Sequence, residues 1–174
     1  MAESAKKDKS SDKALQEMKK ANRVLYFAYG SNMLSEHLDS RLTSLNIVGP
    51  PSLQDKKMLF NKRSKDGSGK ANIISSPGSV TWGVLYEINT QDLKTLDKIE
   101  GGYERVTVRV RRPDGNEFEA ITYVSEDLTN DPRPYRWYKE LVLLGALEHD
   151  LPRDYVAYVE GFPVKPADVI EISC

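Results

Sequence analysis

Cysteine is all but absent from this 174-residue chain: the single one, Cys174, is the last residue of the sequence. That excludes an internal disulfide and any thiolate cluster for a metal. Cys174 is expected to be an exposed terminal thiol rather than a nucleophile, because chain ends are poorly held. Histidine is scarce as well. His37 and His149 lie far apart, with no HxxxH or HxH spacing, so both read as ordinary surface histidines and no metal is expected. Neither sign of charge dominates: 25 Lys and Arg face 26 Asp and Glu, for a formal net charge of −1. No long-range field then favours nucleic acid or a membrane surface as a partner. No apolar run is long enough to span a bilayer. The lysines near the start are followed by no apolar stretch, so a secretory signal is not expected. A cytoplasmic protein is the economical reading.

What is present suits one soluble domain of this length with a sizeable core. Residues 1–22 differ from the rest. Lysines interleave with acids there and large apolar residues are few, so the segment cannot bury enough surface to offset its ordering entropy. It is read as a disordered charged segment, with a helical turn or more over residues 12–20, and residues 23–174 as a single domain. Strands dominate that domain. The apolar run Val24-Leu25-Tyr26-Phe27-Ala28 reads as a buried strand. Residues 56–60 and 71–75 are short strand candidates around a polar Gly/Ser loop, and residues 81–88 form a strongly apolar strand. Asn89-Thr90 can cap a helix over 91–98 that Gly101-Gly102 stops. Val106, Val108 and Val110 alternate with Thr107, Arg109 and Arg111, and Pro113-Asp114-Gly115-Asn116 turns the chain into a partner strand over 118–125. A helix is expected over 134–148, with Trp137, Leu141 and Leu144 facing inward, and a shorter one over 153–160. Periodicity alone supports an α+β fold.

The most informative stretch is Tyr29-Gly30-Ser31-Asn32. A glycine directly after a buried strand allows a sharp turn and close approach of a ligand to the main chain. Ser31 and Asn32 favour a helical start, and successive N–H groups at such a turn form a concavity for a carboxylate, phosphate or oxyanion. An ordinary turn is the plain alternative on spacing alone. Ser31 lacks the Gly-x-Ser-x-Gly context of a nucleophile, so its hydroxyl reads as structural or substrate-contacting. Glu100 is the leading catalytic candidate. It ends a predicted helix just before two glycines that leave room for a substrate. The negative helix end and partial burial should both raise its pKa, which suits a general acid/base near neutral pH. Asp97 and Glu104 are more cheaply explained as solvated charges. The tyrosines have packing roles as their plain reading, each hydroxyl seeking a partner.

The string Tyr26-Phe27-Ala28-Tyr29-Gly30-Ser31-Asn32-Met33 closely resembles the N-terminal motif of the γ-glutamylcyclotransferases. Leu96-Asp97-Lys98-Ile99-Glu100-Gly101-Gly102-Tyr103 is similar to the block in which that family carries its catalytic Glu before Gly. Ser76-Pro77-Gly78, Val80-Thr81-Trp82-Gly83-Val84-Leu85-Tyr86, Tyr138-Lys139-Glu140, and Gly145-Ala146 with Leu151-Pro152 resemble further family blocks in the same order. The resemblance runs from about residue 25 to about 158. It implies a small mixed β-barrel with short flanking helices, the γ-glutamylcyclotransferase or AIG2-like fold. It also implies Glu100 as the catalytic residue and Tyr26, Phe27, Ala28, Tyr29, Gly30, Ser31, Asn32 and Tyr138 as substrate-binding residues, with Tyr123 and Tyr135 as further candidates. The implied reaction is attack of a substrate α-amine on its own γ-glutamyl carbonyl, releasing 5-oxoproline and an amino acid. No cofactor is implied, because the nucleophile belongs to the substrate. The implied partner is a small γ-glutamyl amino acid, and assembly is left open, a homodimer included. Tyr-Gly-Ser-Asn, rather than Tyr-Gly-Thr-Leu, places the chain nearer the dipeptide-type branch. The same ring closure on another γ-glutamyl amine, or a non-catalytic binding module on this fold, are the alternatives. Met33 and Gly102-Tyr103 depart from the familiar pattern and put substrate preference in doubt more than chemistry.

Overall fold

The computed structural model describes residues 12–19 and 21–167. Residues 1–11 of the expected disordered segment, and Cys174, lie outside them. Residues 12–19 are helical (α1), and Met18 packs against the core.

Seven strands follow in one sheet. They are β1 (Arg23–Ala28), β2 (Leu45–Gly49), β3 (Ser52–Arg63), β4 (Gly69–Trp82), β5 (Val84–Asn89), β6 (Glu104–Arg111) and β7 (Glu117–Val124). Their order across the sheet is β2-β5-β1-β7-β6-β3-β4. Only the β1–β7 contact, at Tyr26 and Ile121, is parallel. The helices are α2 (Ser35–Asp39), α3 (Leu93–Ile99), α4 (Arg136–Glu148) and α5 (Arg153–Glu160). Among the described residues no helix is long and apolar enough to cross a membrane.

β1 is central because its last four residues are buried on both faces, as the unbroken apolar run requires. Its Phe27 joins Tyr86, Phe60, Met33, Leu38 and Leu85 in the core. The valine alternation of β6 is reproduced, with Val110 buried and Thr107, Arg109 and Arg111 exposed. The turn after it closes with Arg112 N–H donating to the Asn116 carbonyl, and Gly115 takes the positive φ of 89° that the tight turn needs.

Four expectations are corrected. The sheet is an open mixed one rather than a closed barrel, because its end strands β2 and β4 do not pair. β3 meets β6 at a single pair, Ser52 and Arg111. A side chain bridges the curl instead: Asn72 donates from Nδ2 to the Ser125 carbonyl (2.9 Å) and accepts from the Ser125 N–H (3.0 Å), as a peptide group would. The expected strand over 81–88 is split at Gly83, where a Cβ would stand 2.4 Å from the Ala28 carbonyl oxygen and 2.8 Å from the Phe27 ring. The expected helix over 91–98 begins instead as a 3-10 turn, Thr90–Asp92, and no side chain caps it. Finally, α4 is rotated from the expected face. Tyr138, Val142, Gly145 and Ala146 are buried, while Trp137, Leu144 and Leu147 are exposed. The small residues decide this: a Cβ on Gly145 would stand 2.6 Å from that of Met33, so the helix seats its glycine against the turn after β1.

Candidate active site

The end of β1, the 3-10 turn Ser31–Met33 and the end of α3 meet the start of α4 around a cavity of about 300 Å³. β1 contributes Tyr26, and the turn after it contributes Tyr29, Gly30, Ser31 and Asn32. Gly30 is favoured by the tight space around it rather than by φ, which is −112°. A Cβ there would lie 3.1 Å from the Ala71 Cβ and 3.3 Å from the Tyr138 hydroxyl. Helix α4 aims Tyr138 at this point. Its hydroxyl accepts from the Ala71 N–H (3.1 Å) and contacts Ser31. Tyr103 donates to the Ala71 carbonyl (2.7 Å), so two tyrosines satisfy both backbone groups of one strand residue.

Glu100 stands at the C-terminal end of α3, its N–H bonded to the Leu96 carbonyl at 2.9 Å. Asn32, 4% exposed, donates from Nδ2 to Glu100 Oε1 (2.8 Å) and to the Tyr26 hydroxyl (3.1 Å). One amide thus ties together the strand end, the turn and the carboxylate, across 68 residues of sequence. Burial pushes the Glu100 carboxyl up to about 7, while the positive charges of Arg41 and Lys62 pull against that rise. It is the one carboxylate on the cavity wall among the described residues. Asp97 is engaged elsewhere, accepting from Tyr123 (2.6 Å) and pairing with Arg105 (3.7 Å). Glu104 is exposed on β6. The tyrosines Tyr26, Tyr29, Tyr103 and Tyr138 all have pKa values raised, chiefly by burial, so their hydroxyls stay protonated and act as neutral donors.

Of the residues expected to bind substrate, Tyr26, Tyr29, Gly30, Ser31, Asn32 and Tyr138 line the cavity together with Glu100. Tyr123 lines it as well. Phe27 and Ala28 are buried in the core and do not, the Phe27 carbonyl accepting instead from Thr122 (2.7 Å). Tyr135 donates to the Asp66 carbonyl (2.9 Å), outside the cavity wall. Arg41, Lys62, Lys70 and Trp137 line the cavity but drew no functional reading from the sequence, which offers no local pattern to single them out. His37 also lines it. His149, expected at the surface, is buried edge-on to Tyr86 because it closes α4 over the core.

A strand end, a glycine turn and a helix-terminal carboxylate thus meet around one small cavity. Residues 80–159 match the model of the AIG2-like family. The γ-glutamylcyclotransferase of Homo sapiens is 36% identical over 140 residues, covering 75% of this chain and 74% of that protein. A solved structure of a γ-glutamyl cyclotransferase aligns with a TM-score of 0.77 at 30% identity, over 87% of this chain and 97% of its own. The crystal structure of an uncharacterized Homo sapiens protein aligns with a TM-score of 0.79 at 31% identity, over 84% and 92% respectively. The chain belongs to the γ-glutamylcyclotransferase family.

Proposed function

We propose that this protein is a γ-glutamylcyclotransferase acting on γ-glutamyl amino acids, with Glu100 as its general acid/base. The carrying observation is the Glu100 carboxyl, held by Asn32 inside a tyrosine-lined cavity and raised to about 7. At neutral pH the substrate's α-amine is mostly protonated. A carboxyl titrating near neutrality can both accept and return a proton at that pH. As a carboxylate it takes the proton of the substrate's α-ammonium. The freed amine attacks the γ-carbonyl carbon and closes a five-membered ring. Glu100 then gives that proton to the departing nitrogen as the C–N bond breaks, takes the surplus proton left on the ring nitrogen and releases it to solvent, leaving 5-oxoproline and the free amino acid.

The other residues position and polarise. Backbone N–H groups of the Gly30–Asn32 turn and the neutral hydroxyls of Tyr26 and Tyr138, which accept from Asn32 and the Ala71 N–H and keep their own protons to give, supply donors for the α-carboxylate and for the oxyanion that develops on the γ-carbonyl. Holding the γ-glutamyl chain folded back on itself supplies the orientation advantage of a ring closure.

The test is product formation from γ-glutamyl-alanine. The wild-type protein should release 5-oxoproline and alanine, and Glu100→Gln should lose most of that rate while retaining substrate binding. Free glutamate as the initial product would overturn the cyclisation. Wild-type rates in Glu100→Gln would overturn the assignment of the base.

A further inference from the structure

Lys62 on β3 and Lys70 on β4 are direct cross-strand partners in the antiparallel ladder, and both line the cavity. Like charges placed directly opposite each other destabilise a sheet. The repulsion is felt: Lys62 lowers the pKa of Lys70, after the larger effect of burial. Compensation within the protein is partial. Asp66 reaches Lys70 at 3.7 Å. Among the described residues no acid lies within ion-pair distance of Lys62. Aromatic faces hold the two ammonium groups instead. Lys70 Nζ stands 4.2 Å from the ring centroids of both Trp137 and Tyr138, and Lys62 Nζ 5.2 Å from that of Tyr103. A like-charged pair caged by rings on the wall of a cavity is a site short of one anion.

The γ-glutamyl substrate, on the reading proposed above, brings two carboxylates. The α-carboxylate shares a carbon with the attacking amine, so it must lie beside Glu100 and the turn after β1. The second carboxylate belongs to the departing residue and lies beyond the scissile nitrogen. Lys62 lines the same cavity as Glu100, lies over Tyr103 and pairs across the ladder with Lys70, so the two lysines extend the cavity wall away from the turn after β1. Trp137, 52% exposed, opens that end of the cavity to solvent. We propose that Lys62 and Lys70 form the leaving-group subsite and bind the free α-carboxylate of the departing amino acid, so that the protein selects γ-glutamyl amino acids over γ-glutamyl amines that lack a carboxylate there.

The experiment compares kcat/KM for γ-glutamyl-alanine and γ-glutamyl-alaninamide, which differ only in that carboxylate. The wild-type protein should favour the free acid roughly 10-fold or more, the scale of a hydrogen-bonded charge pair. Lys62→Met and Lys70→Met, which keep the aliphatic stem, should each reduce that ratio several-fold, and Lys62→Arg should largely keep it. Rising salt should lower the wild-type ratio without any substitution. Equal losses on both substrates in the Met variants would place the lysines on the γ-glutamyl half and overturn the subsite. A wild-type protein indifferent to the cap would overturn it too. Failure to form 5-oxoproline from either substrate would instead bring down the cyclotransferase reading on which the subsite rests.

Discussion

Two glutamates, one at the end of α3 and one on the β6–β7 hairpin, show how far surroundings alone can drive one side chain. Glu100 ends α3 inside the cavity, with a neutral amide as its hydrogen-bond donor. Glu117 begins β7 on the outside of the β6–β7 hairpin, where Arg109 (2.7 Å) and Arg111 (3.1 Å) grip its two oxygens. Burial raises the first carboxyl to about 7. Hydrogen bonds from Arg109 and then Arg111 hold the second below its ordinary value. The hairpin stabilises charge that is already solvated, and gains little. The cavity desolvates a charge it does not fully compensate, and the resulting instability of the carboxylate is what makes it a proton acceptor near neutrality.

The contrast can be broken most severely at Glu100. Glu100→Gln should lower turnover of γ-glutamyl-alanine by roughly 100-fold or more. The same substitution should stabilise the fold at alkaline pH. A carboxylate whose folded pKa lies near 7, against 4.5 for the ordinary group, favours folding in its protonated form. Its contribution is complete below about pH 4.5 and is lost as pH rises through 7. Glu100→Gln should therefore exceed the wild type by up to about 3 kcal/mol at pH 8. Denaturant melts at pH 8 and pH 4 should show that gain and its disappearance. Gly30→Val drives a branched side chain against Ala71 and the Tyr138 hydroxyl. A cost of about 1–3 kcal/mol is expected, with a raised KM in steady-state assays. Glu117→Gln sharpens the comparison from the other side: stability should fall by less than about 1 kcal/mol, with kcat/KM close to that of the wild type. A large loss there would show that the hairpin and the cavity are coupled.

Legibility in the sequence followed the range of the interactions. The β6–β7 hairpin reads directly from alternation and a four-residue turn, since each element is specified by its own neighbours. The run into Gly30 and the carboxylate before Gly101 were legible as local motifs. Their juxtaposition through Asn32 was not a property of either segment, and entered only through resemblance to a family. The rotation of α4 escaped because large apolar residues attract the eye, whereas Gly145 and Ala146 set how closely the helix approaches. Closure of the sheet was likewise an inference about distant edges. The cations of the cavity escaped altogether: Lys62 and Lys70 look like the charges of any surface hairpin until the strands place them opposite each other, Lys70 against Trp137 and Tyr138 and Lys62 against Tyr103.

The bridge between Asn72 and Ser125 reaches further than the sheet it spans. The Ser125 hydroxyl donates to the Gly102 carbonyl (2.8 Å), two residues beyond Glu100. The turn after Glu100 is thus tied through one serine to one asparagine, beside its own backbone bond from the Tyr103 N–H to the Glu100 carbonyl (3.0 Å) and the β6–β7 ladder that starts at Glu104. Amide protons around Gly102 and Ser125 should exchange with solvent by local opening, well before the β1–β5 ladder does.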